Sequence, residues 1–320
     1  MLCVLCGEFA LCGCDKPTQK EVVLYTSIDQ PVAAPIIREF EKQTGIHVTL
    51  VTDSEASKSV GLAERLRAER ANPQADVWWS NEPFHTINLA EEGVLEAWGG
   101  SGWLGVPERF RDPNKRWACN GVRVRVIAVS GPAQVGSLLD LTRPELKDRI
   151  AMARPTAGTT GGHVAALFVL WGDDAASEYF RKLRANNIKL LGGNSAVAEA
   201  VGRGQLFAGL TDNDDCAAVL REGGTLNTVL PDQDGIGTLL VPTSVGMVNG
   251  CKHMRLAERL IEFLLSKEVE QELMDAKFAY GSVRPGIGPQ VKAMDVDYPE
   301  VARKMPEAVR RATAILEGRE

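Results

Sequence analysis

The sequence predicts an α/β protein of two lobes joined by two extended crossover strands. Three observations lead there. From residue 22 onward, short β-branched runs alternate with longer amphipathic ones, the pattern of a parallel sheet with helices on its faces. The same scheme recurs in the second half, and a chain of 320 residues with 44% apolar content exceeds the usual single core. Between the two sets of units stand GVRVRVIAVS (121–130) and GTLLVPTSVGMVNG (237–250), both alternating and β-rich, which read as the crossovers of a hinge.

In order, VVLYTS (22–27) reads as a buried strand. PVAAPIIREFEKQTG (31–45) reads as a helix with Ile36, Ile37 and Phe40 inward and Gly45 as its stop, and IHVTLV (46–51) as a second strand. Residues 57–72 form a further amphipathic helix closed by Asn72-Pro73, and ADVWWS (75–80) a third strand. In the second half, RIAMARP (149–155) leads into AGTTGG and the helix HVAALFVLWG, IKLLGG (188–193) into NSAVAEAVGRG, and QLFAGLTD (205–212) into an acidic cluster. The expected boundaries are a signal and tether over 1–20, a first lobe of 21–120 with 246–320, and a second lobe of 121–245 that includes the crossover strands.

Composition excludes several classes. A formal charge of −6 without a Lys/Arg block argues against a nucleic-acid or anionic-membrane partner. Cys3, Cys6, Cys12 and Cys14 crowd the start, and only Cys119, Cys216 and Cys251 follow, so there is no disulfide scaffold; the four early cysteines stand too close for a good tetrahedral zinc site. The later three read as small buried apolar residues. The early segment reads instead as a short secretory run ending in LCGC before the polar tether DKPTQKE, and LCGC resembles the bacterial lipobox, which makes Cys14 the lipidated residue. No apolar stretch of about 18–20 residues occurs elsewhere, so the body does not span a membrane as a helix.

Ligands of open parallel sheets bind beyond the carboxyl ends of the strands. The first lobe places there Thr26, Ser27 and Asp29, then Thr52, Asp53 and Ser54, then Ser80, Asn81 and Glu82; the second places Thr156 to Gly161, then Asn194 and Ser195, then Asp212 to Asp215. All six loops are polar although the strands feeding them are not. This describes a binding cleft between lobes.

The run VVLYTSIDQPVAAPIIREFEKQTGIHVTLV, with LAERLRAERANPQADVWWSNEP, LAEEGVLEAW, AGTTGG, GGNSAVAEAV, FAGLTDNDD and SVRPG, resembles the extracellular solute-binding proteins of ABC importers, in particular their ferric-ion-binding branch. The resemblance implies a periplasmic-binding-protein fold of the two-crossover type II kind. It also implies a monomer held in the periplasm or at the cell surface, ligand capture by closing lobes, and delivery to a membrane permease. It does not carry the iron ligands over. The family's histidine falls on Asp29, its glutamate on Asn81 beside Glu82, and its paired tyrosines on Asp214 and Asp215.

Two ligand chemistries follow. Asp29, Glu82, Asp212 and Asp214 are hard oxygen donors suited to a metal ion such as iron, with Asp212 and Asp214 reaching the ligand and Asp215 facing away. A bland alternative is that Asp212 or Asn213 caps a helix whose first turn carries Asp214 and Asp215. A calcium loop is not present: counting from Asp212, Ala217 and Gly223 stand at the sixth and twelfth positions. Thr156, Gly158, Thr159 and Thr160 form the second chemistry, a small-residue turn at a helix N-terminus that suits an anion. By the resemblance this anion is a phosphate or carbonate completing a metal site. The expected ligand-binding set is Ser27, Asp29, Ser80, Asn81, Glu82, Thr156, Gly158, Thr159, Thr160, Asn194, Asp212 and Asp214, with no obligatory cofactor and at most a bound metal ion with phosphate or carbonate.

Organophosphates, phosphonates and other small polar solutes fit the same loops. Catalysis is not expected, because G-x-S-x-G, H-E-x-x-H and G-x-G-x-x-G are all absent; a metal-dependent phosphate-handling enzyme is the remaining alternative. One of Trp78 and Trp79 is expected in the core, with the cleft floor as the minor alternative for the other. His163 is expected to support the threonine turn from behind, and His85 to sit on the surface.

Overall fold

The computed structural model describes residues 20–53, 59–132 and 135–320; the expected lipidation site Cys14 and the loop residue Ser54 lie outside them. In chain order the elements are β1 (Glu21–Thr26), α1 (Gln30–Thr44), β2 (His47–Thr52), α2 (Val60–Ala68), β3 (Val77–Ser80), α3 (Phe84–Glu91), β4 (Leu95–Glu96) and β5 (Trp117–Val129). They continue with β6 (Ile150–Ala153), α4 (Thr160–Ala185), β7 (Lys189–Leu191), α5 (Asn194–Gly202), β8 (Ala208–Asp212), α6 (Asn213–Arg221) and β9 (Asn227–Val229). The last are β10 (Leu240–Val248), α7 (Met254–Leu264), α8 (Lys267–Asp275) and α9 (Tyr298–Glu317).

In the first lobe β1 pairs in parallel with β2 and β3, and α1 lays Ala33, Ile36, Ile37 and Phe40 onto the sheet. Gly45 ends α1 at φ 67°, its N–H on the Glu41 carbonyl, a left-handed cap that costs a glycine little. In the second lobe β6 lies between β7 and β8, all parallel.

The lobes are joined through β5. Its first half pairs antiparallel with β10 and its second half, from Arg125 to Val129, antiparallel with β8. One strand thus belongs to both sheets, and the strand order β2-β1-β3-β10-β5-β8-β6-β7 runs unbroken between lobes. All thirteen residues of β5 are buried. The pairing slips where Val122 faces Pro242 and Asn120 faces Thr243, leaving Gly121 as a bulge residue at φ 62°. A Cβ there would meet Leu273 Cδ1 at 3.0 Å. The Gly121 N–H donates to buried Glu270 at 2.9 Å, and Glu270 also takes the Ser282 hydroxyl and the Arg284 guanidinium.

Two features differ from expectation. Helix α4 runs well past residue 172, with Gly172 (φ 76°, ψ 167°) breaking it into two helical pieces that a periodicity reading ends at the glycine. The chain's last helix does not merely add to the first lobe: α9 packs along α4 and more lightly against α3, so it bridges both lobes. Lys304 and Arg311 on α9 both pair with Asp173 on α4, at 2.9 and 3.1 Å.

Candidate functional site

Strands β6, β7 and β8 end side by side, and the helices that follow them, α4, α5 and α6, begin there. Three helix N-termini therefore converge there, each contributing the positive end of its dipole. Asp212, the last residue of β8 and the residue before α6, sits at the centre with 1% of its surface exposed. Its Oδ2 accepts the Thr159 hydroxyl at 2.6 Å and the Asn194 amide at 3.1 Å. The same Asn194 amide donates to Thr159 Oγ1 at 2.9 Å, while the Thr160 hydroxyl donates to Asn194 Oδ1 at 3.1 Å.

The cations that balance this carboxylate come from β5. Arg125 Nη1 reaches Asp212 Oδ1 at 2.8 Å and Thr159 Oγ1 at 3.0 Å. Arg123 Nη1 lies between the carboxylates of Asp212 at 3.2 Å and Asp214 at 3.0 Å, and its Nη2 donates across to the Asn81 carbonyl of the first lobe at 2.7 Å. Both guanidiniums are buried, and Arg123 rests over the Phe278 ring. Burial opposes ionisation of Asp212, but Arg125, Arg123 and the Thr159 hydroxyl outweigh it and hold the carboxyl below its ordinary range. Burial likewise opposes the charge of Arg123, and Asp214 and Asp212 more than restore it. His163, behind the turn, takes a hydrogen bond from Arg125 Nε at 3.4 Å; burial, then the Arg125 charge, push its pKa down to about 3, so the ring is neutral.

This network corrects several expectations. Thr159 and Asp212, expected to present opposite polarities to a solute, are bonded to each other. Asp215, expected to face away, lines the cleft, and its carboxylate accepts the Thr211 hydroxyl at 3.1 Å. Carboxylate oxygens of Asp212, Asp214 and Asp215 all lie within 4.8 Å of one another. Glu82, expected among the ligands, is buried, and its carboxylate accepts the N–H groups of Phe84 at 2.7 Å and His85 at 3.3 Å at the start of α3. The Ser80 hydroxyl donates to Glu82 at 3.3 Å and lies 3.4 Å from the Ser27 hydroxyl. Asp29 stands immediately before α1, half-buried, close enough to Arg123 to help hold its charge. Ser27 and Asn81 brace one another, the Ser27 hydroxyl donating to Asn81 Oδ1 at 3.1 Å and accepting its N–H at 3.0 Å.

Thr156 is exposed at the rim. Trp78 and Trp79 are both fully buried, so neither floors the cleft, while His85 is half-buried rather than on the surface. Cys119, Cys216 and Cys251 are buried and free. The remaining space at the centre, walled by Asn81, Arg123, Gly158, Thr159, Asn194 and Asp215, is about 10 Å³, room for one water. Arg123 and Arg125 are the functional residues the loop-by-loop reading missed. Their signal is the R-V-R alternation in a strand expected to cross the cleft, which places two cations on one strand face.

Residues 21–278 match the family described as "Bacterial extracellular solute-binding protein". The chain is a bacterial extracellular solute-binding protein. As such it is the solute-capturing component of an ABC import system. It is 26% identical over 279 residues to "Iron uptake protein A1" of Synechocystis sp., covering 82% of this chain and 76% of that protein. It is equally 26% identical over 285 residues to a "Putative 2-aminoethylphosphonate-binding periplasmic protein" of Salmonella typhimurium, covering 87% and 77%. In fold, this solute-binding protein matches the ferric binding protein from Campylobacter jejuni with a TM-score of 0.83 at 22% identity, over 92% of this chain and 99% of that one. A periplasmic binding protein from Actinobacillus pleuropneumoniae, solved with fructose-6-phosphate, matches with a TM-score of 0.82 at 21% identity, over 94% and 99%. The type II two-lobed fold read from the sequence is therefore the fold of this chain. Among the described residues no helix is long and apolar enough to cross a membrane.

Proposed function

We propose that this protein binds a small organic solute through its oxyanion, a phosphonate, phosphate ester or carboxylate, and releases it unchanged to its permease. The observation that carries the reading is Arg123, placed among Asp212, Asp214 and the Asn81 carbonyl. The buried carboxylates are neutralised by the protein's own guanidiniums, and an incoming metal ion would have to displace one of them. An oxyanion meets three helix N-termini and the Gly158 turn instead. Relatives named for 2-aminoethylphosphonate, and a fold neighbour solved with a sugar phosphate, are in keeping with it.

A second reading, ferric ion held with an anion, is favoured by the three carboxylates within 4.8 Å and by the relative named for iron uptake. Thermal unfolding against methylphosphonate, inorganic phosphate and a ferric nitrilotriacetate complex separates the two, since a ligand at a hundred times its Kd stabilises the native state by about 2.7 kcal/mol. Stabilisation by methylphosphonate supports the oxyanion reading; stabilisation by the ferric complex alone overturns it. We also propose that Cys14 carries a lipid that holds the protein outside the cytoplasmic membrane. Cys14→Ser in the native host is expected to release it from the membrane fraction, and a membrane-retained variant contradicts the anchor.

A further inference from the structure

On the far side of Gly158 from Asp212 lies a second cavity of about 480 Å³. Its apolar walls include Val60 at the start of α2, Pro155 and Gly161 flanking the threonine turn, and Met305 and Val309 on α9, and charged side chains of α2, the end of α3 and α9 stand at its rim. Gly158 lines both this cavity and the polar centre. At φ 49°, a Cβ on it would meet nothing nearer than the Asn194 amide at 3.8 Å, so the residue the two spaces share carries no side chain and leaves room beside it.

We propose that this cavity is the subsite for the organic substituent of the solute, and that the solute is an oxyanion bearing a short apolar alkyl or aryl group. The inference rests on the oxyanion reading and deepens it. The polar centre has room for one water, so the head group takes whatever space the parting lobes open there and leaves none for what is attached to it. The attached group has an adjoining space whose surface is mostly aliphatic, and burying it there is favourable in proportion to its apolar area.

Charge argues the same way. The cations at the rim are already matched: Arg67 with Glu92 at 2.6 Å and Glu64 at 2.8 Å, and Arg303 with Glu91 at 3.1 Å. A second ionic group on the solute would break one of these pairs. Apart from these pairs, the polar side chains lining the cavity are His85, Asn88 and Thr156, and Asn88 already donates to the Ala302 carbonyl at 3.0 Å. The walls come from both lobes and from the bridging helix α9, so a substituent that fills the space is gripped when the lobes close.

Calorimetric titration with inorganic phosphate, methylphosphonate and n-propylphosphonate tests the proposal on the intact protein. Propylphosphonate is expected to bind about tenfold more tightly than methylphosphonate, as two buried methylenes allow. Val309→Asp, which puts a charge into the cavity from the partly exposed side of α9, and Val60→Trp, which fills it from the other lobe, are each expected to abolish that preference while leaving methylphosphonate affinity within about twofold. Equal affinity for the two phosphonates in the wild-type protein overturns the subsite but leaves the oxyanion reading standing. A propyl preference that survives both variants also overturns it. Absence of binding by all three anions sinks the oxyanion reading, and the subsite with it.

Discussion

The two lobes end their strands in loops of similar composition and use the carboxylates there in different ways. In the first lobe Glu82 turns inward and is consumed by backbone N–H groups at the start of α3. In the second, Asp212 stands before α6 in the same way, yet its oxygens are taken by Arg125, Arg123, Thr159 and Asn194 side chains. A backbone-capped carboxylate stabilises one helix. A carboxylate held by side chains orients every group that holds it, and those groups wall the cleft. Acidic composition at a strand end therefore does not say whether a residue serves the helix or the ligand; its partners do.

The sharpest way to break this contrast is to remove the cation from the second lobe. Arg123→Ala leaves Asp212 and Asp214 buried with one balancing charge fewer, and is expected to cost about 3–5 kcal/mol in denaturant unfolding. A loss below about 1 kcal/mol would mean the network is slack. The next test uses pH. The His163 pKa, near 6.5 when unfolded, is about 3 in the folded protein, so below pH 6.5 the unfolded chain takes up a proton that the native one refuses. Stability from this residue is complete above pH 6.5 and falls as pH drops toward 3, by about 3 kcal/mol at pH 4. His163→Gln should flatten that part of the profile, and an unchanged acid limb would show that the ring titrates freely.

These two sites also show how far the sequence could be read. The alternation of β-branched and amphipathic runs is a local property, and it placed the strands and helices of the repeated units and the two crossovers, the first of which begins at Gly121, a bulge residue in β5. Strand ends could be listed, because side chains there must leave the sheet, and Thr159, Asn194, Asp212 and Asn81 do meet. What residue identity did not reveal is partner choice. Glu82 and Asp212 look alike in sequence and differ only in which donors the fold brings within 3 Å or so. Arg123 and Arg125 passed as members of an alternating strand because their significance depends on β8 lying alongside. The bridging position of α9 was equally invisible, since an amphipathic helix does not say which lobe it covers.

The first lobe supplies the smaller effects. Glu82→Ala should cost about 1–2 kcal/mol through loss of the α3 cap and leave methylphosphonate affinity unchanged. An affinity loss beyond threefold would return Glu82 to the ligand. Gly121→Ala, at positive φ and against Leu273, should cost about 1 kcal/mol and reduce the contraction seen by small-angle scattering on adding methylphosphonate. Wild-type contraction in that variant would place the hinge elsewhere.

The central claim, that Asp212 and Asp214 are held by the protein's own guanidiniums opposite an oxyanion site, is tested most directly by native mass spectrometry of the wild-type protein after incubation with ferric nitrilotriacetate or with methylphosphonate and removal of excess ligand. The account predicts the mass of the polypeptide alone from the first sample and one methylphosphonate adduct from the second. One iron retained per chain, with no phosphonate adduct, would contradict it.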